Sequence, residues 1–166
     1  MAPRRRAKPE IIPDPSLTII HQVACLQMNI SDACHFLSHY YYDEVALDHF
    51  GARIKDQALM KWYEATTTLQ YIVGRGNRVR LPDFQRPEID YQNHMDSLMG
   101  ILNLQKELTK TLQILFHTAF NIGDIPTLNF VRGLIPQQSK NEESLQQEID
   151  GLRKRIEQAR EEEEEK

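Results

Sequence analysis

The stretch GRGNRVRLPDFQRPEID, residues 74–90, decides the fold, because two glycines and two prolines fall there between segments that read as helical. Proline-free runs extend from Ser16 to Leu81 and from Glu88 to Ile125, and few glycines interrupt them. A helix interior tolerates neither residue cheaply. Gly74-Arg75-Gly76-Asn77 is a helix terminator, and the chain from there to about Asp90 reads as an extended connection.

Upstream, the spacing predicts a helix starting near Ser16 as N-cap, with Ile20, Val23, Ile30, Cys34, Leu37 and Tyr41 on one stripe. Asp43 and Glu44 suit a short break, after which Leu47, Phe50, Ile54, Ala58, Ala65 and Ile72 define a second helix. Downstream, Met95, Leu98, Leu102, Leu112 and Ala119 define a third. Asn121-Ile122-Gly123-Asp124 makes a tight turn, and Pro126 fits the first turn of a fourth helix. That helix continues through Leu128, Val131, Ile135, Leu145, Ile149, Leu152 and Ile156, with Pro136 predicted to bend it.

Loop lengths set the topology. The first and last connections are short and force antiparallel hairpins, whereas the middle one is long. A helix of about 28 residues is roughly 42 Å long. Some 15 to 17 extended residues cover about 50 Å, so the middle segment can run the length of a bundle and leave the second and third helices parallel. The fold class expected is therefore all-α, a four-helix bundle with one long crossover. The organisation expected is a disordered basic and proline-rich arm over residues 1–15, a bundle over 16–160 and an acidic tail over 161–166.

Composition narrows the function. The 166 residues are 40% hydrophobic and 27% charged, with mean hydropathy −0.55, and no apolar run reaches a membrane-spanning length. The start, MAPRRRAKPEIIPDP, has prolines and acids where a signal peptide needs an apolar core, so a cytoplasmic location is expected. Net charge is −4, with Arg4, Arg5 and Arg6 at one end and Glu161 to Glu165 at the other, and no single-sign field suits nucleic acid. Arg4 to Arg6 resembles an import patch but reads more simply as a solvated arm. Cys25 and Cys34 fall on opposite faces of one helix, too far apart to bridge. No phosphate loop, nucleophile triad or paired CxxC motif is present.

Four polar residues interrupt the stripes at mid-helix: Gln27, Lys61, Glu64 and Gln105. They are expected to form a polar layer in the core, with Lys61 and Glu64 paired at i,i+3. Asp32, His35 and His39 stand at i, i+3 and i+7 on the polar side of the first helix, a spacing compatible with a surface metal site.

Beyond this, the residues from about Leu17 to Arg155 resemble the ferritin family. The run from His39 to Phe50 is similar to that family's aromatic-rich end of helix A leading into helix B. Gly74 to Leu81 through Arg86-Pro87-Glu88, Leu104-Gln105-Lys106, and Asp124 to Phe130 are similar to its loop, its helix C and the opening of its helix D. The resemblance implies a ferritin-like bundle, and it also locates where ferroxidase ligands would stand. Gln27 falls at the position of the helix A glutamate, Lys61 at the bridging glutamate, Glu64 at the histidine and Gln105 at the helix C glutamate, with Met60 and Ser139 at two supporting positions. Two iron cations need carboxylates and imidazole, and an ammonium repels them, so a degenerate di-iron site with no cofactor and no enzyme activity is expected. The acidic nucleation positions of light-chain ferritins correspond to Met60, Tyr63 and Thr66, and the acids of the three-fold channel to Asn129 and Arg132. Glu157 to Lys166 replaces the apolar fifth helix of the family, which makes a closed cage of this chain alone doubtful. The expectation is a non-catalytic structural or interaction subunit with protein partners. Those partners are ferritin-type subunits or a larger structural assembly; the alternative is an iron-storage subunit that co-assembles with catalytic ferritin chains.

Overall fold

The computed structural model describes residues 10–40, 48–81 and 85–166, and within residues 48–49 the backbone alone. The described residues form four helices and no strand: α1 (Asp14–Tyr40), α2 (Asp48–Gly74), α3 (His94–Ile122) and α4 (Ile125–Glu164). The break proposed at Asp43 and Glu44, together with Tyr41 and Leu47, lies outside the described residues.

Helix α1 begins two residues earlier than expected. Pro15 lies in the first turn, where a missing N–H has no intrahelical partner to lose, and the Leu17 N–H already donates to Pro13 O at 2.9 Å. Ser16 is therefore not an N-cap but a buried residue inside the helix. The disordered arm expected over residues 1–15 does not hold for residues 10–15, since Asp14 and Pro15 are already helical. Residues 1–9 lie outside the described residues, but Ile12 is 1% exposed. Its N–H donates to Asn77 Oδ1 at 2.8 Å, and Asn77 Nδ2 donates back to Ile12 O at 3.2 Å.

Helices α2 and α3 end alike. Gly76 (φ 84°) and Gly123 (φ 81°) adopt the left-handed conformation that glycine alone takes at little cost. The next residue's N–H reaches back five positions, from Asn77 to Ile72 O and from Asp124 to Ala119 O, which closes a Schellman motif at each end. Asp124 then caps α4 by accepting from the Thr127 N–H, so α3 and α4 form a tight hairpin.

Side-chain contacts orient the rest. Tyr71, late in α2, stacks on Phe130, early in α4, while Arg53, early in α2, pairs with Glu148, well past the middle of α4, so the two helices run antiparallel. Phe50 meets His94, so α2 and α3 start at the same end and run parallel. The connection between them lies along α1: the Arg80 N–H donates to His21 Nε2, and Arg86 and Tyr91 both pack on Phe36. Ile89 closes on Gly100, where a Cβ would stand 3.0 Å from its Cγ1. The long crossover is thus present, and the fold is the expected all-α bundle.

The apolar stripes meet in one core of Ile20, Val23, Ile30, Leu37, Ile54, Ile72, Leu98, Leu102, Leu112, Val131, Leu145 and Ile149. Helix α4 runs through Pro136 without interruption, and the buried Val131, Gln138 and Leu145 on either side hold it against the bundle despite the hydrogen bond that the proline removes. Two boundaries shift at its far end. Ile156 is exposed, so the packed stripe stops at Leu152, and the segment expected as an acidic tail from residue 161 is helical to Glu164.

Candidate functional site: a polar layer inside the bundle

Lys61 lies on the α2 stripe Ile54, Ala58, Lys61, Ala65, Thr68, Ile72, whose spacing of four, three, four, three and four turns one face inward. The lysine follows the stripe and is 0% exposed. Its Nζ donates to Glu64 Oε2 at 2.8 Å and to Gln138 Oε1 at 2.6 Å. Gln138 passes the network on, donating through Nε2 to Gln105 Oε1 at 2.7 Å and to Gln105 O at 3.1 Å. On the other side, the Thr68 hydroxyl contacts Gln27 Oε1 at 2.7 Å and Glu64 O at 3.0 Å. Thr109 extends the layer toward the surface, with its hydroxyl 2.7 Å from Glu142 Oε2.

All four helices therefore contribute to one hydrogen-bonded layer. A buried polar group is costly when unpaired, and here each of the four mid-helix interruptions has a partner. Lys61 and Glu64 pair as expected from their spacing. Beside them, the Cys34 thiol is pushed up to about 12 by burial, outweighing the pull of the Lys61 charge, so it stays protonated and unreactive.

Two residues assigned to the site lie elsewhere. Met60 is 42% exposed and Ser139 is exposed as well, because each is one position, about 100° of helix rotation, from the residue that faces inward. Gln138 occupies the place expected of Ser139. It lies seven residues from both Val131 and Leu145, and that heptad spacing was the available signal. Tyr63 and Thr66 share the exposure of Met60 on α2, and Asn129 and Arg132 are exposed on the first turns of α4.

The surface triad is not assembled as a metal site. His35 and His39 contact each other through Nε2 atoms 3.3 Å apart, whereas Asp32 lines a separate surface depression with Phe36, Arg86 and Tyr91. Among the described residues no group of three histidine, cysteine, aspartate or glutamate side chains is placed to hold a metal ion. Cys25 and Cys34 are both free. No described helix is long and apolar enough to cross a membrane.

A second polar cluster closes the end of the bundle. Arg75 donates to Glu10 O at 2.6 Å, to Tyr71 Oη at 2.7 Å and to Asp124 Oδ1 at 3.1 Å. Burial pulls its pKa down, but the bonds to Tyr71 and Asp124 outweigh this and hold the guanidinium above its ordinary value. Its role is to tie the chain before α1 to the α2 terminus and the α3–α4 turn.

The crossover and the bundle topology agree with what comparison with known families finds: a family model described as a ferritin-like domain matches residues 19–164. The match spans all but the first few residues of α1 and the three other helices in full, and the chain belongs to the ferritin family.

Proposed function

We propose that this chain is a non-catalytic ferritin-family subunit, with a structural or interaction role, in which a lysine occupies the space of a di-iron site. The observation that carries this reading is the Lys61 Nζ at the centre of the layer, held by Glu64 and Gln138. The donor set does not fit a pair of iron ions. The buried centre of the layer offers one carboxylate, three amides and the Thr68 hydroxyl, with the Thr109 hydroxyl and the Glu142 carboxylate only at its outer edge, and its one cationic nitrogen has no lone pair to give a metal while protonated. No redox step is assigned to it.

Oxygen-dependent oxidation of ferrous iron by the purified chain tests the reading. The rate should equal that of the protein-free buffer, and stoichiometric oxidation that disappears in Glu64→Ala would overturn it. The alternative is co-assembly with catalytic ferritin chains. Co-expression followed by native mass measurement separates the two: mixed shells support storage, and a complex with an unrelated protein supports the structural role.

A further inference from the structure

The seam between α2 and α4 is bridged at two heights. Arg53 Nη1 meets Glu148 Oε1 at 2.9 Å, and Lys61 Nζ meets Gln138 Oε1 at 2.6 Å. Arg53 and Lys61 are separated by about 12 Å of helix rise. Between the two bridges lies a cavity of about 360 Å³. Ligand pockets run from about 300 to 1,000 Å³, and about 150 Å³ suffices for benzene. The space therefore takes a molecule roughly twice as large.

The wall is mostly apolar, with the buried Ile54, Ile101 and Leu145 on three different helices. Asn141 also lines it and is 6% exposed. Its Oδ1 accepts from Gln137 Nε2 at 2.8 Å, but its Nδ2 is buried without a hydrogen-bond partner. Such a donor is costly to leave unpaired, and an acceptor carried in by a ligand would satisfy it. Of the other two amides on the wall, Gln105 already has its Oε1 engaged by Gln138, and Gln57 is only half-buried and so open to water. Charge selects further. The charged residues described on the wall are Arg53, Asp56 and Glu148, an excess of one negative charge, with Arg53 committed to Glu148. An anion is disfavoured there.

We propose that the α2–α4 cavity binds a neutral, largely apolar carbonyl compound whose oxygen accepts a hydrogen bond from Asn141 Nδ2. The Arg53–Glu148 pair, with Arg53 largely in solvent, forms the gate at the mouth. This site is independent of the iron question, because nothing in it depends on whether the Lys61 layer binds metal.

Three probes of similar size test it on the full chain by side-chain NMR titration: 4-phenyl-2-butanone, butylbenzene and 4-phenylbutyrate. The ketone should produce saturable shifts at the Ile54, Ile101 and Leu145 methyls and at the Asn141 amide. It should bind roughly three- to tenfold more tightly than the hydrocarbon, the gain of one hydrogen bond to a buried donor. The carboxylate should bind more weakly than the ketone. In Asn141→Leu, with its fold checked by circular dichroism, ketone and hydrocarbon should bind alike. Absence of saturable shifts, shifts confined to another surface, or equal affinity for ketone and hydrocarbon in the unmutated chain would overturn the proposal. Tighter binding of the carboxylate would overturn it too. The comparison among the three probes stands even if the variant does not fold.

Discussion

The Nζ of Lys61 lies 2.6 Å from Oε1 of Gln138, and this contact ties α2 to α4 across the interior of the bundle. It also fixes the orientation of the Gln138 amide, since with Oε1 turned to the lysine its Nε2 must face Gln105. One glutamine thus serves as acceptor for a buried cation and as donor to a buried amide, a double role that neither an acid nor an aliphatic residue could fill.

Replacing Gln138 by alanine should therefore cost about 2–3 kcal/mol, because it removes one acceptor from Lys61 and the donor to Gln105 together. Ser139→Ala, one position along the same helix and exposed, should stay within about 0.5 kcal/mol of the parent. Urea denaturation of the two variants reads the difference. Equal losses would mean that the inward face of α4 has been misplaced.

Acid should loosen the end of the bundle where α2 and α3 start. His94 opens α3 with its ring edge-on to Phe50. Burial holds its pKa below the ordinary value of 6.5, and the nearby Arg155 charge pushes the same way. The folded chain binds this proton less readily than the unfolded chain. The stability involved is therefore fully present above pH 6.5 and is lost as pH falls through the lower, folded-state value. The melting temperature should drop as pH falls below about 6.5, and His94→Gln should flatten that drop. Identical pH profiles for parent and variant would remove His94 as the cause.

Much of this architecture is legible in the chain because proline and glycine punctuate it so clearly. Gly76 and Gly123 mark two helix ends by a backbone conformation that other residues resist, and the apolar spacing of α1 to α3 leads directly to the buried faces. The polar layer was legible for a related reason: Gln27, Lys61 and Gln105 each stand where an apolar residue was due. Other features depend on tertiary contacts that periodicity does not encode. Ile12 precedes any helix, and it is the Asn77 side chain on its backbone, with Arg75 on the carbonyls of Glu10 and Ile11, that holds it against the bundle. Gln138 is not legible from the family resemblance, which points to Ser139, because one residue along a helix is a different face. The packed stripe ends at Leu152 although the apolar spacing continues to Ile156, since by that point α4 has outrun its neighbours.

The segment before α1 should behave as part of the bundle. Ile12→Ala removes a fully buried side chain and should cost about 2–4 kcal/mol. The same change should expose residues 10–13 to proteolysis, because the reciprocal Ile12–Asn77 bonds lose the packing that shields them. Limited digestion with mapping of the first cut checks this. A cleavage pattern unchanged from the parent would show that Ile12 is not what holds the segment down.

The sharpest test concerns Lys61 and Glu64 themselves. Glu64 is 17% exposed at its side chain against 0% for Lys61, so deleting the acid leaves the lysine with Gln138 but without a counter-charge in a place water scarcely reaches. Glu64→Ala should cost about 3 kcal/mol, near the low end of the range for breaking a buried pair, because the Gln138 oxygen still accepts one of the lysine's protons. Lys61→Met should cost less than this, since the glutamate it abandons can turn partly toward solvent. Replacing both together, as Lys61→Met with Glu64→Leu, removes the orphan charge and should be far less damaging than the sum of the single changes, with a coupling of about 1–3 kcal/mol. Denaturant midpoints at constant slope provide the cycle. Additive losses would mean that the lysine and the glutamate do not stabilise each other, and the ion pair would then fail as an account of how a charged side chain comes to fill the core.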